Sequence, residues 1–459
     1  MLYTFYGDDL TGSTDVLEQL ASNGVPAVLF LSEPNPEHLA RFANVKAIGI
    51  AGDSRSRSPE WMTKNLPRIF TTLKSFNAPV NHYKVCSTFD SSPTHGSIGR
   101  ALDIGREVFH PAFVPIVVAA PHLGRYVIHG NLFAVASDGQ VKRIDQHPMA
   151  NHPVTPMREP DLRRHLAAQT RTPIGLISTH TAAELNHQLE AGTQAILFDG
   201  ADEQTLTATG ELLWHHVQQS PLFAIGSSGL TAALIPSWRT HENKSCHSDL
   251  DPELVEGEGE DPPHFARSGD DAPWTDRLDG AEDNPIQLSL SREKAQPLLV
   301  LSGSCSPVTA GQIQWALANG FHGIALDPSK LLNSAAEQAR IQAAATASLA
   351  AGRSTILYTA LGPPSKAVHG DDLGEALGNL LRNLLQTTPT RRILLCGGDT
   401  SSHAVQQLGL YALTWTAPIQ AGAPLCRAHS DDPMLDSIEL ILKGGQVGTP
   451  NFFHAAQQA

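Results

Sequence analysis

Residues 2–24 read LYTFYGDDLTGSTDVLEQLASNG, and the fold of the whole chain hangs on how this stretch is taken. LYTFY (2–6) is a short run of bulky residues that suit a buried strand. Gly7, Asp8 and Asp9 end it. STDVLEQLASNG then shows apolar residues at i, i+3 and i+4 spacing and closes on Gly24, the mark of a helix with a C-terminal stop. A strand passing through a polar loop into a helix is the opening half of a βαβ unit. The adjacent aspartates repel each other and give a core strand nothing. Either Asp9 or Ser13 caps the helix by accepting from its unpaired N–H groups, or the pair stands there for chemistry. A carboxylate at a strand end can take a proton from a hydroxyl or hold a metal.

The same alternation continues. PAVLFL (26–31), VKAIGI (45–50), HYKVCS (82–87), FVPIVVAA (113–120), IGLIS (174–178), AILFDG (195–200) and LFAIGSS (222–228) read as buried strands between helical stretches. After Thr240 the pattern stops. Residues 241–290 hold 14 Asp/Glu against 3 Lys/Arg, a balance of −11, with many Pro and Gly and few aliphatic residues. Such a segment buries too little apolar surface to offset its chain entropy, so 241–296 is expected to be an acidic disordered linker or insertion. Alternation resumes with PLLVLSGSCS (297–306), FHGIALD (321–327), STILYTA (354–360), RRILLCGGDTSS (391–402) and SIELILKGGQVG (437–448). The expected architecture is α/β, with two doubly wound, mostly parallel-sheet domains, residues 1–240 and 297–459, and a cleft between them.

The net charge of −14 leaves only −3 outside the acidic segment, and no basic stripe points to nucleic acid. Five scattered cysteines without C-x-x-C spacing argue against a disulfide framework or a zinc site and fit a reducing compartment. The first residues have no basic n-region, and the longest apolar run, AFVPIVVAA (112–120), is too short to span a bilayer. These features predict a cytoplasmic protein that engages neither membrane nor nucleic acid. Its apolar helices could support a homodimer.

In doubly wound sheets, ligands bind outside the carboxyl ends of the strands. The polar clusters gather there: Asp8-Asp9 after the first strand, Ser54-Arg55-Ser56-Arg57 after the third, and Lys84 followed by CSTFDSSPTHGSIG (86–99). Arg55 and Lys84 are candidate anchors for an anion, since arginine can grip a carboxylate with two parallel hydrogen bonds. Each such residue taken singly is more often an ion-paired surface group. In the second domain SGSCS (302–306), GGDTSS (397–402) and KGGQVG (443–448) each follow a strand. Small residues let backbone N–H groups approach phosphate oxygens, and the next helix offers its positive end, though tight turns use the same residues. The chain lacks G-x-x-x-x-G-K-[ST], G-x-G-x-x-G after either first strand, G-x-S-x-G and H-E-x-x-H, which weighs against P-loop enzymes, dinucleotide oxidoreductases, serine hydrolases and zinc proteases. His215-His216 and the other histidines show no metal-ligand spacing.

Assembled in order, these pieces resemble the four-carbon acid sugar kinases, the family of erythronate, threonate and 3-oxo-tetronate kinases. The resemblance covers both halves. It rests on DD-x-TG (Asp8, Asp9, Thr11, Gly12), KVCSTFDSSP (84–93), GSIG (96–99), GRYVIHGNLF (124–133), HPVTPMREPDL (152–162), GSSGL (226–230), LSGSCS, GGDTSS and the terminal KGG-x-x-G. CSTFDSSP, in place of the DST-x-RG of other members, is most similar to the 3-oxo-tetronate branch. The last loop departs from the usual KSGNFG, so Gly444 carries no hydroxyl and Val447 no aromatic ring.

The resemblance implies a sugar-acid-binding N-terminal domain, an ATP-binding C-terminal domain, and transfer of phosphate to the C4 hydroxyl with Mg²⁺ on the nucleotide. Threonate and erythronate are alternative substrates, and a catalytically silent binding protein is the alternative class. By motif, Ser304, Gly397, Gly398, Asp399, Thr400 and Gly445 would contact ATP. Asp8, Asp9, Arg55, Lys84, Ser87, Thr88, Asp90 and Ser91 would face the sugar acid. Asp9 is expected to orient or deprotonate the hydroxyl with Asp8 assisting, although the two could exchange roles. The Mg²⁺ ligands are left open, Asp399 being one option.

Overall fold

In chain order the strands are β1 (Tyr3–Gly7), β2 (Ala27–Phe30), β3 (Ala47–Ala51), β4 (Val80–Lys84), β5 (Val114–Val117), β6 (Arg125–Ile128), β7 (Asn131–Val135) and β8 (Val141–Arg143). They continue with β9 (Ile174–Ile177), β10 (Ala195–Phe198), β11 (Leu222–Gly226), β12 (Leu299–Ser302), β13 (His322–Ala325), β14 (Thr355–Tyr358), β15 (Arg392–Cys396), β16 (Leu410–Gln420), β17 (Ala423–Ser430) and β18 (Glu439–Lys443). The computed structural model describes residues 1–136, 138–152, 154–247, 297–362, 370–388 and 390–459. The expected acidic linker therefore lies, from residue 248 onward, outside the described residues. Its first residues continue the helix Ser228–His247.

The architecture is mixed α/β with a large, mostly parallel sheet. All five residues of β1 are buried, as a central parallel strand covered on both faces requires. β1 lies between β3 and β4, in parallel with both. The N-terminal strands run in the order β2-β3-β1-β4-β11-β5-β10-β9, and the C-terminal strands in the order β13-β14-β12-β15-β18-β17-β16. These are one sheet. The antiparallel strands β16 and β17 form its middle, and β16 pairs with β2 through Ala412 with Phe30 and Leu413 with Leu29. β6, β7 and β8 form a small separate antiparallel sheet.

Both halves belong to one compact unit. A single apolar cluster explains why: Val16, Leu17 and Leu20 of the first helix bury into the same core as Leu413, Cys426 and Leu440. That helix, Leu10–Ala21, also reaches the far half by a polar contact, the Gly422 N–H donating to Glu18 Oε2 at 2.9 Å. No helix among the described residues is long and apolar enough to cross a membrane.

Candidate active site

Asp9 caps the first helix, as one of the two readings of the opening stretch required: its Oδ1 accepts from the Gly12 N–H at 2.9 Å, and its Oδ2 accepts from the Thr11 hydroxyl at 2.7 Å. It does more than cap. Arg55 Nη1 donates to Asp9 Oδ2 at 2.9 Å and Nη2 to Asp9 Oδ1 at 3.0 Å. The same guanidinium grips Asp8, with Nε to Oδ2 at 3.1 Å and Nη2 to Oδ1 at 2.6 Å. One arginine thus holds two adjacent carboxylates whose repulsion would otherwise go unopposed.

The loops fix Arg55 in place. Its N–H donates to the Asp8 carbonyl at 3.0 Å, and a Cβ on Gly96 (φ +56°) would collide with the Arg55 carbonyl. Only a residue without a side chain sits comfortably there. Burial pushes the Asp8 carboxyl up to about 6, with Arg55 opposing and the Asp9 charge reinforcing the rise. Burial works against the Arg55 charge as well, but the two aspartates outweigh it and hold the guanidinium well above its ordinary range.

The loop after β4 closes the other side. Thr88 donates to Asp90 Oδ1 at 2.7 Å and lies 3.0 Å from the Cys86 thiol. Burial would raise the Asp90 carboxyl, yet Arg55 and the Thr88 hydroxyl keep it below its ordinary value. Ser87 is half-buried at the start of this loop. Lys84 is almost fully buried, with Nζ 3.9 Å from Asp15 Oδ2. Ser91 points elsewhere, into a buried network with His165 Nε2 at 2.8 Å and Gln169 Nε2 at 2.9 Å. Arg55 and Lys84, expected as anchors for an anion, are both paired with carboxylates of the chain itself, because each lies deep enough that an unpaired charge would be costly.

The three glycine loops of the C-terminal half meet. A Cβ on Gly303 would collide with Thr400 Oγ1, and one on Gly445 would stand 3.0 Å from Ser304 Oγ. Gly397 has φ +108° and donates its N–H to the Lys443 carbonyl at 3.0 Å. Lys443 is wholly buried, with Nζ donating to Thr309 Oγ1 at 3.1 Å and to the Gly444 carbonyl at 2.9 Å. These contacts bring Ser304, Gly397, Thr400 and Gly445 into one small cradle, with Gly398 and Asp399 opening the helix Gly398–Gln407. No side chain caps that helix among the described residues, so its first N–H groups and positive end are available to an anion. The cradle suits phosphate oxygens. Across from it, Asp9 Oδ2 lies 4.0 Å from the point where a Cβ on Gly398 would sit.

Residues 3–234 match a family described as a sugar-binding N-terminal domain, and residues 299–453 one described as a nucleotide-binding C-terminal domain. The chain is 41% identical to a 3-oxo-isoapionate kinase of Paraburkholderia graminis, across 99% of this chain and 93% of that one. The chain belongs to the four-carbon acid sugar kinase family. It is an ATP-dependent sugar-acid kinase. It is also 29% identical to a 3-oxo-tetronate kinase of Methylobacterium radiotolerans, over 98% of this chain and 97% of that one. Crystal structures of a Salmonella typhimurium protein (TM-score 0.72, 22% identity, covering 99% of this chain and 98% of that one) and a Haemophilus influenzae protein (0.64, 23%, 99% of each) share the fold of this kinase.

Two cavities, of about 650 Å³ beside Asn333, Gln338 and Glu375 and about 590 Å³ beside Asp103 and Thr170, share no residue with the site of the kinase. Among the described residues no group of three or more His, Cys, Asp or Glu side chains is arranged to hold a metal. Mg²⁺ carried on nucleotide phosphates needs only one or two carboxylates from a protein.

Proposed function

We propose that this kinase phosphorylates the terminal hydroxyl of a 3-oxo sugar acid, C4 in a four-carbon chain, with residues 1–240 binding the acid and 297–459 the nucleotide, in the cytoplasm. Identity of 41% to a 3-oxo-isoapionate kinase makes that acid the first substrate to test, and 3-oxo-tetronate the second. The observation that carries the reading is the Asp9 carboxylate facing the uncapped end of the helix Gly398–Gln407. A phosphoryl group lying in the glycine cradle would have the acid's hydroxyl on its far side, against Asp9.

Phosphoryl transfer asks a protein for alignment and charge stabilisation more than for covalent chemistry. In this reading Asp9 accepts a hydrogen bond from the attacking hydroxyl and takes its proton late. Arg55 and the Thr11 hydroxyl hold the carboxylate in one orientation. Asp8, deeper and gripped by two nitrogens of Arg55, keeps that arginine in place. The backbone N–H groups at Gly398 and beyond steady the phosphate charge, and Mg²⁺ on the nucleotide would supply further neutralisation.

The test is ADP release with Mg-ATP and a panel of 3-oxo-isoapionate, 3-oxo-tetronate, threonate and erythronate, with phosphorus NMR to locate the new ester. Release with a 3-oxo acid and a primary phosphate ester is expected. Silence with all four acids, together with thermal stabilisation by one of them, would make the chain a binding protein and end this reading.

A further inference from the structure

Arg55 spends four of its five N–H donors on its two aspartates, so the acid's own carboxylate still lacks a fork to grip it. A second guanidinium lies at the same edge of the sheet. Arg125 opens β6, just after the segment that leaves the carboxyl end of β5. Its Nη1 donates to the carbonyls of Leu123 at 2.8 Å and Gly124 at 3.1 Å. Its Nε is buried with no hydrogen-bond partner, and no carboxylate pairs with the side chain, among the described residues.

Arginine keeps its charge at any working pH, and a buried charge without a counter-charge is costly. The groups around Arg125 do not supply one. The Cys86 thiol feels its charge, but burial pushes that thiol up to about 11, so it is neutral near pH 7. His147, which also feels Arg125, is itself held below its ordinary range, first by burial and then by this arginine. Cys86 lies within electrostatic range of Arg55 as well. Both arginines follow the carboxyl ends of strands in this sheet, Arg55 after β3 and Arg125 after β5, each two strands from β4, one spent on the chain's own carboxylates and one with its Nε–Nη2 edge unspent. That edge is the fork that matches a carboxylate.

We propose that Arg125 holds the carboxylate of the sugar acid, leaving Arg55 to hold Asp8 and Asp9. The inference rests on the reading of the acid given above. Bracing two neutral carbonyls would explain Nη1 alone; it leaves Nε without a purpose.

The experiment compares wild type, Arg125→Gln and Arg125→Lys in steady-state kinetics with the best acid of the panel. It includes the neutral analogue bearing a hydroxymethyl group in place of the carboxylate, and melting curves with and without ATP. For Arg125→Gln the KM for the acid should rise about 10- to 100-fold, the loss of one charge-assisted pair. Its KM for ATP and its rate with the neutral analogue should stay at wild-type values. Arg125→Lys, which keeps the charge but not the fork, should fall between, and it carries the test if the Gln variant does not fold. A folded variant with an unchanged KM for the acid, or with equal losses on acid and neutral analogue, overturns the inference while the kinase stands. A wild type that phosphorylates no acid overturns the reading and the inference with it.

Discussion

The Asp9 carboxylate and Gly398 face each other across the two halves, with Asp9 Oδ2 4.0 Å from where a Cβ on Gly398 would sit. Alanine fits there without a clash, since that distance is ordinary van der Waals contact, and the backbone of Gly398 is not in the left-handed region. Gly398→Ala should therefore leave the melting temperature unchanged or slightly higher, alanine being the better helix former. On the proposed reading, however, its methyl group stands where the transferred phosphoryl group has to pass. A fall in kcat/KM of roughly tenfold or more is expected from the misalignment, measured by coupled ADP release beside a thermal melt. Full activity would mean that the transfer path lies elsewhere.

Asp9→Asn separates the structural role of this residue from the chemical one. Asparagine is as good a helix cap as aspartate, and its carbonyl can still accept from the Gly12 N–H. The fold and ATP binding should survive. On the proposed reading the attacking hydroxyl loses its proton acceptor, and turnover should drop by about 10²- to 10⁴-fold. Near-normal turnover in a folded variant would remove Asp9 from the reaction.

Arg55 offers a test through stability. Replacing it with methionine keeps much of the stem but leaves Asp8 and Asp9 side by side without the guanidinium that pairs them, Asp8 being only 3% exposed. Stripping one partner from a buried ion pair costs about 3–5 kcal/mol. Arg55→Met should lower the urea midpoint accordingly. Adding Asp8→Asn should restore part of the loss, because it removes one of the two stranded charges. A double variant no more stable than the single one would show that Arg55 acts through packing instead.

How much of this was legible in the sequence depends on how far apart the partners lie. The cap at Asp9 was readable because Asp9, Thr11 and Gly12 sit within one turn and precede a periodic apolar run. The grip of Arg55 on Asp8 and Asp9 was not, since a loop arginine reads equally as a ligand anchor or an ion-pair partner until the sheet sets β3 beside β1. Lys84 and Asp15 pose the same ambiguity. The glycine loops were visible as small-residue turns after strands, and their convergence follows from β12, β15 and β18 being neighbours in the sheet. The hairpin β16–β17 escaped notice because β16 is only partly buried and the pair slips register, which blurs the alternation that marks a strand. That hairpin joins the two sheets into one, through a pairing of Leu29 and Phe30 with residues near 412 that leaves no local mark.

Glu18 supplies a prediction in pH. Its carboxylate, 5% exposed on the first helix, accepts from the Gly422 N–H at the turn of the β16–β17 hairpin. Burial, reinforced by Asp15, raises its pKa from 4.5 to about 7 against the opposing bond from Gly422. The folded chain thus binds this proton more tightly than the unfolded one. Its stabilising effect is complete below about 4.5 and is lost as pH rises through about 7. Glu18→Gln keeps an acceptor for the Gly422 N–H and removes the charge that has to be buried at high pH. The variant should melt close to wild type at pH 5 and above it at pH 8, by about 1–3 °C for a gain near 1 kcal/mol in a chain of this size. Melting curves at the two pH values decide it. A variant less stable than wild type at pH 8 would mean that the charged carboxylate is itself the better partner for Gly422.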